Sequence, residues 1–127
     1  MLIEYQGGII LVRRTIAPYK DTWALPGLRM CKPEGIDDTL TRIGLDEVGL
    51  QLDLKSKKIL DQYVGRFKTE HGRQDISTAY VVKALVGQEL KLNKSHFSGF
   101  QIVHSLSEIP PKTGAMYKHY LKKYFEM

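Results

Sequence analysis

Apolar residues recur every second position along most of this chain, and the period lengthens to that of a helix in two places. Residues 1–14 run from a short strand through Gln6-Gly7-Gly8 into Ile9-Ile10-Leu11-Val12-Arg13-Arg14, which reads as a hairpin. Thr22 to Leu25 is a brief strand stopped by Pro26-Gly27. From Gly35 to Val48 the apolar residues Ile36, Leu40, Ile43 and Leu45 take roughly helical spacing, Asp37 and Asp38 sit where a helix dipole favours acids, and Gly49 follows as a stop. Leu50–Val64 and Asp75–Val86 read as strands joined by the polar loop Gly65–Gln74, which carries Lys68, Glu70, His71 and Arg73. Leu90 and Leu92 form a short alternating piece, Asn93–Gly99 a loop, and Phe100–His104 another strand. Pro110-Pro111 then breaks the chain before a final helix from about Thr113 to Tyr124. Strands, a helix, more strands and a terminal helix predict an α/β sandwich with a mixed sheet between helices.

The 127 residues make one domain, 1–127, large enough to bury a core and too small for two. Apolar and charged fractions of 43% and 26% are ordinary for a globular protein. No apolar run approaches the roughly 20 residues needed to cross a bilayer, and no signal-peptide pattern opens the chain. One cysteine, Cys31, rules out an internal disulfide, so a cytoplasmic location and no membrane partner are expected. A formal net charge of +5 raises the question of nucleic acid. The basic residues are dispersed, with small clusters at Lys55, Lys57, Lys58 and at Lys112, Lys118, Lys122, Lys123, and no aromatic-interleaved platform accompanies them. A phosphate-bearing small molecule suits this charge better, and no nucleic-acid partner is expected.

Candidate chemistry concentrates in residues 25–50. Ile43, Asp46 and Glu47 are related by i+3 and i+4 and so project from one side of the predicted helix. Two adjacent carboxylates there repel each other, and a hard divalent cation with oxygen ligands reverses the sign of that interaction. The pattern alone fits a solvated acidic helix end equally well.

The order of residues in this segment resembles the Nudix box of the Nudix hydrolases: Gly, five residues, Glu, seven residues, then Arg-Glu-apolar-x-Glu-Glu-x-Gly-apolar, preceded by apolar-Pro-Gly. Anchored on Glu34, the box brings Arg42, Asp46, Glu47, Gly49 and Leu50 into register, with Leu25, Pro26 and Gly27 as its lead-in. Three positions depart from it: Leu28 replaces Gly, Ile43 replaces the Glu after the Arg, and Gly44 replaces an apolar residue. The resemblance implies a Nudix-type α/β/α sandwich, Mg²⁺ (or Mn²⁺) as cofactor, a nucleoside-diphosphate substrate, an ion pair between Glu34 and Arg42, and a homodimer. The first strand is shorter than the family's usual lead-in, so Met1 is an internal start, a trimmed end, or a short version whose edge a partner chain completes.

Ile43 carries the most chemical information, because in typical members the Glu at that place is a metal ligand or the general base. Outside the box the chain is similar to the GDP-mannose mannosyl hydrolase group, which lacks the same Glu and sends water to the sugar C1. The similarity rests on Arg14-Thr15 after the second strand, Trp23 before the Pro-Gly turn, Arg29 after it, and Tyr80-Val81-Val82 on a central strand. It implies metal ligation by Glu47 and the Gly27 carbonyl, with Asp46 as an outer or additional ligand. It also implies Arg14 and Arg29 on the diphosphate and Tyr80 donating to phosphate, all three assisting catalysis. The group's catalytic His follows a Gln in the loop before the last strand; here His96 follows Ser95, across a gap of about two residues.

Each of these residues also has a plainer reading. An ordinary exposed loop position is the favoured reading for His96, His104 fits a structural place in a strand, His119 the surface of the last helix, and Cys31 is incidental. His71 lies in a hairpin loop from which it can reach the nucleotide or sugar. Trp23 and Tyr80 suit core packing, the favoured reading for Trp23. Alternation sends one of Arg13 and Arg14 outward, and the resemblance turns Arg14 to the site. Three functions follow: a nucleotide-sugar hydrolase attacking C1, an ordinary pyrophosphohydrolase attacking phosphorus on a substrate such as ADP-ribose or a nucleoside triphosphate, or a nucleotide-binding domain without turnover.

Overall fold

The computed structural model describes residues 1–16, 20–67 and 73–127, with the backbone alone for residues 66, 67 and 73–75. Strand β1 (Leu2–Tyr5) turns into β2 (Gly8–Arg14), followed by β3 (Trp23–Ala24), helix α1 (Ile36–Ile43), β4 (Leu52–Phe67), β5 (Arg73–Ala84), β6 (Phe97–Val103) and helix α2 (Ala115–Phe125). Gln6 and Gly7 have φ of 49° and 79°, the two positive angles that a tight two-residue hairpin turn needs.

β2 is the hub of the six-stranded sheet. One of its edges carries β6, antiparallel from Ile9↔Val103 to Arg14↔Phe97. β1 joins it through Glu4↔Ile9 and β3 through Val12↔Ala24 and Arg13↔Trp23. β1 then runs parallel to β5 through Leu2↔Val81 and Ile3↔Val82, and β5 pairs antiparallel with β4 at the far edge. The sheet is therefore mixed, as the alternation of elements predicts.

Both faces of the central strands are buried. Leu2, Ile9, Leu11, Val81 and Val103 pack with Tyr120 and Leu121 of α2, while Ile3, Ile10, Val12 and Val82 pack with Val48, Leu50 and Phe97. Each such side chain contributes about 1.5–3 kcal/mol on leaving water. Trp23 packs half-buried against the α2-side cluster, in line with its core reading. No helix among the described residues is long and apolar enough to cross a membrane.

Two local expectations are corrected. β6 begins at Phe97, not Phe100, because Phe97 is a buried core residue paired with Arg14, leaving Ser98 as the extra residue where the register shifts. Leu90 and Leu92 make no strand; Lys91 N–H and Asn93 N–H instead donate to the carbonyls of Val48 and Glu47, both at 2.9 Å, so this stretch closes the end of the helix.

Candidate functional site

The helix that begins as α1 widens into a π-helical turn over Gly44–Val48. A side chain at Gly44 would place its Cβ 2.8 Å from the Leu50 carbonyl oxygen and 3.0 Å from the Leu52 side chain, so only glycine lets the chain fold back here. The departure from the box at position 44 thus has a packing cause. Gly49 ends the turn at φ 66°, its N–H donating to the Gly44 and Leu45 carbonyls, and a Cβ there would lie 2.8 Å from that of Lys91. Within this turn the two neighbouring carboxylates part: Asp46 is exposed, whereas Glu47 is 2% exposed.

A buried carboxylate needs a partner, and Glu47 finds it in the loop before β6. Its Oε2 lies 3.1 Å from His96 Nδ1. Asn93 Nδ2 is 3.5 Å from the same nitrogen but 3.1 Å from the Asp46 carbonyl, so it donates to the latter and leaves Nδ1–H to Glu47. That fixes the imidazole with Nε2 as its basic nitrogen, and Nε2 has no hydrogen-bond partner among the described residues. The loop is held at several points: Ser95 N–H donates to Asn93 Oδ1 at 3.0 Å, and Thr15 N–H donates to the His96 carbonyl at 2.9 Å. Asn93 was missed in the sequence; Asn-Lys-Ser is an Asx-turn pattern, the one local signal that could have found it.

Arg14 lies on the face of β2 that carries Ile10 and Val12, opposite Phe97, next in the chain to His96. Its Nε is buried and has no hydrogen-bond partner among the described residues, which suits an anion. Arg13 faces the other way, exposed and 3.7 Å from Asp21. The Glu34–Arg42 pair is bidentate at 2.8 and 2.9 Å, and Arg42 also donates to the Arg29 carbonyl at 2.6 Å, tying the Pro-Gly loop to the helix. Hydrogen bonds from Arg42 and from the Cys31 N–H pull the Glu34 pKa down to about 2.

Gly27, Arg29 and Tyr80 meet at a cavity of about 900 Å³, which Ile43 and Met1 also line. The Met1 ammonium donates to the Pro26 carbonyl at 2.6 Å, and burial lowers its pKa to about 5 against an opposing pull from Glu47. Of the sequence candidates, Glu47 and His96 are in contact, while Gly27, Arg29 and Tyr80 share a cavity that neither of those two nor Asp46 lines. His71 lies outside the described residues. His104 is exposed and bonded to Glu108, and His119 is 2.9 Å from Asp61.

Among the described residues no group of three or more His, Cys, Asp or Glu side chains could hold an ion between them. The buried Glu47, whose Oε1 makes no hydrogen bond to a described residue, offers one oxygen donor that fits a single Mg²⁺ completing its shell with water and substrate phosphate. It does not fit a cluster of several ions, since Ile43 offers no ligand.

No family model matches the sequence. The fold is similar to that of a MutT Nudix hydrolase from Burkholderia pseudomallei, at a TM-score of 0.77 and 20% identity over 96% of this chain and 92% of that one. It is also similar to the Nudix domain of Shewanella oneidensis NrtR, complexed with ADP ribose, at a TM-score of 0.73 and 14% identity over 98% and 81% of the two chains. In sequence, 57 residues are 30% identical to the low-salt glycan biosynthesis protein Agl8 of Haloferax volcanii, a match spanning 45% of this chain and 36% of that protein. The chain therefore has the Nudix fold, as the box predicts.

Proposed function

We propose that this chain is a Mg²⁺-dependent hydrolase of a nucleoside diphosphate derivative, most specifically a nucleotide sugar of the GDP-mannose type cleaved by water attack at the sugar C1. The observation that carries this reading is the buried Glu47 bonded to His96 at 3.1 Å, with Ile43 where a second carboxylate would stand. A bound Mg²⁺, held by Glu47 and the Gly27 carbonyl, would supply positive charge to the diphosphate leaving group.

The chain's own groups do the rest. Glu47 orients the His96 ring, and Nε2 accepts a proton from water as the water oxygen bonds to C1. The C1–O bond breaks, its electrons go to the diphosphate, and the guanidinium groups of Arg14 and Arg29 and the Tyr80 hydroxyl stabilise that charge. Hydrolysis in ¹⁸O-water tests the site of attack: the label belongs in the released sugar, and label in phosphate would refute C1 attack.

A second reading, hydrolysis at phosphorus of a substrate such as ADP-ribose, is supported by the likeness to a Nudix domain solved with ADP ribose. Release of a mononucleotide plus a sugar phosphate would select it.

A further inference from the structure

The contact between Glu47 and His96 joins residues 49 apart in the chain, and the half-buried side chain of Asn93 bridges the two segments that make it. Asn93 Nδ2 donates to the Asp46 carbonyl at 3.1 Å, and its Oδ1 accepts the Ser95 N–H at 3.0 Å. Asp46 and Ser95 immediately precede Glu47 and His96, so one amide clasps the residue before each partner. The Asn93 backbone spans the same gap. Its N–H donates to the Glu47 carbonyl at 2.9 Å, and its carbonyl accepts from His96 N–H at 3.1 Å and Phe97 N–H at 3.0 Å. The amide nitrogen also stands 3.5 Å from His96 Nδ1, beyond the usual range of a bond, and so abuts the ring edge where it meets Glu47.

Building on the hydrolase reading above, we infer that Asn93 is a positioning residue for this site: its amide clamps the residue before Glu47 to the residue before His96 and so sets the ring against the carboxylate. An imidazole that takes a proton from water must keep Nε2 aimed at that water, yet the ring turns about two single bonds. Glu47 is held by burial, whereas the His96 side chain is 40% exposed, so packing pins the carboxylate and leaves the ring to its bonds. Misplacement of a reacting group by about 1 Å costs on the order of a hundredfold in rate. An Asx-turn alone uses only the Oδ1 acceptor; the bond from Nδ2 to Asp46 is one the turn does not require. The backbone bonds of Asn93, the bond from Thr15 N–H to the His96 carbonyl and the buried Phe97 keep the loop folded without the amide. Loss of the amide is therefore felt in the alignment of the ring and not in the fold.

Asn93→Ser separates the clamp from the turn: its hydroxyl can still accept the Ser95 N–H, but it is too short to reach the Asp46 carbonyl. Asn93→Asp also keeps the acceptor without the donor and carries the test if Asn93→Ser does not fold. We expect kcat for a nucleoside diphosphate derivative to fall about tenfold or more, with KM changed less than about threefold and the fold retained by circular dichroism. In a His96→Gln background the same substitution should lower kcat by less than about twofold, because the ring it positions is gone. In ¹⁵N spectra of the neutral His96 ring, wild type should show the Nδ1–H form and Asn93→Ser a mixture with the Nε2–H form, a readout that needs no turnover. Wild-type kcat in the variant, an equal fall in both backgrounds, or an unchanged ring spectrum would overturn the inference, and turnover by wild type would leave the hydrolase reading standing. If wild type turns over no diphosphate while the ring spectrum shifts as expected, the hydrolase reading falls and the clamp stands.

Discussion

At position 43 a single residue separates this site from the carboxylate-rich pattern of the box it resembles. Ile43 is 5% exposed and lines the cavity beside Met1, so a carboxylate there would be stripped of water. We expect Ile43→Glu to lower stability by about 2–4 kcal/mol without divalent cation and to regain part of it in Mg²⁺, read as a metal-dependent rise in Tm. No rise would mean that position 43 does not face the cation site. Gly44→Ala should cost about 1–3 kcal/mol in chemical denaturation, since its Cβ meets the Leu50 carbonyl at 2.8 Å; an unchanged midpoint would contradict that close approach. Positions that follow from spacing along one helix, such as Ile43 and Glu47 on its buried side and Gly49 at its stop, were legible in the chain, whereas Asp46, expected on the same side, is exposed. That His96 is the partner of Glu47 was not legible, because it reaches Glu47 from a loop nearly fifty residues away and periodicity says nothing about such contacts; the resemblance offered His96 only as a candidate base.

At the scale of elements, the Pro-Gly loop is pinned to α1 by Glu34 and Arg42, and this pin responds to acid. The folded pKa of Glu34, about 2, lies below its ordinary 4.5, so its contribution is fully present above the ordinary value and is lost as pH falls through that interval. Thermal melts from pH 5 to pH 2 should therefore show wild type losing stability more steeply than Glu34→Gln, which lacks the contribution at every pH. Parallel slopes would show that the pair does not hold the fold. Alternation located β2 and β5, whose apolar faces enter the core, and also β4 at the sheet edge. It missed the start of β6, where the extra residue Ser98 breaks the period, and it read Leu90 and Leu92 as a strand although their backbone closes the helix end. The π-helical widening was not legible either, since it depends on Gly44 packing against Leu50 and Leu52.

For the whole molecule, the sheet brings two distant segments together: the helix end that carries Glu47 and the loop that carries His96, both on the face of β2 that holds Ile10, Val12 and Arg14. We propose that Glu47 makes this pairing a metal-dependent hydrolytic site. The most direct test is product release from a panel of nucleoside diphosphate derivatives, GDP-mannose and ADP-ribose among them, by wild type and Glu47→Gln. We expect turnover in Mg²⁺, loss of turnover on chelation, and a fall of about a hundredfold or more in Glu47→Gln with the fold retained by circular dichroism. A wild-type rate in Glu47→Gln, or turnover that survives chelation, would contradict the account.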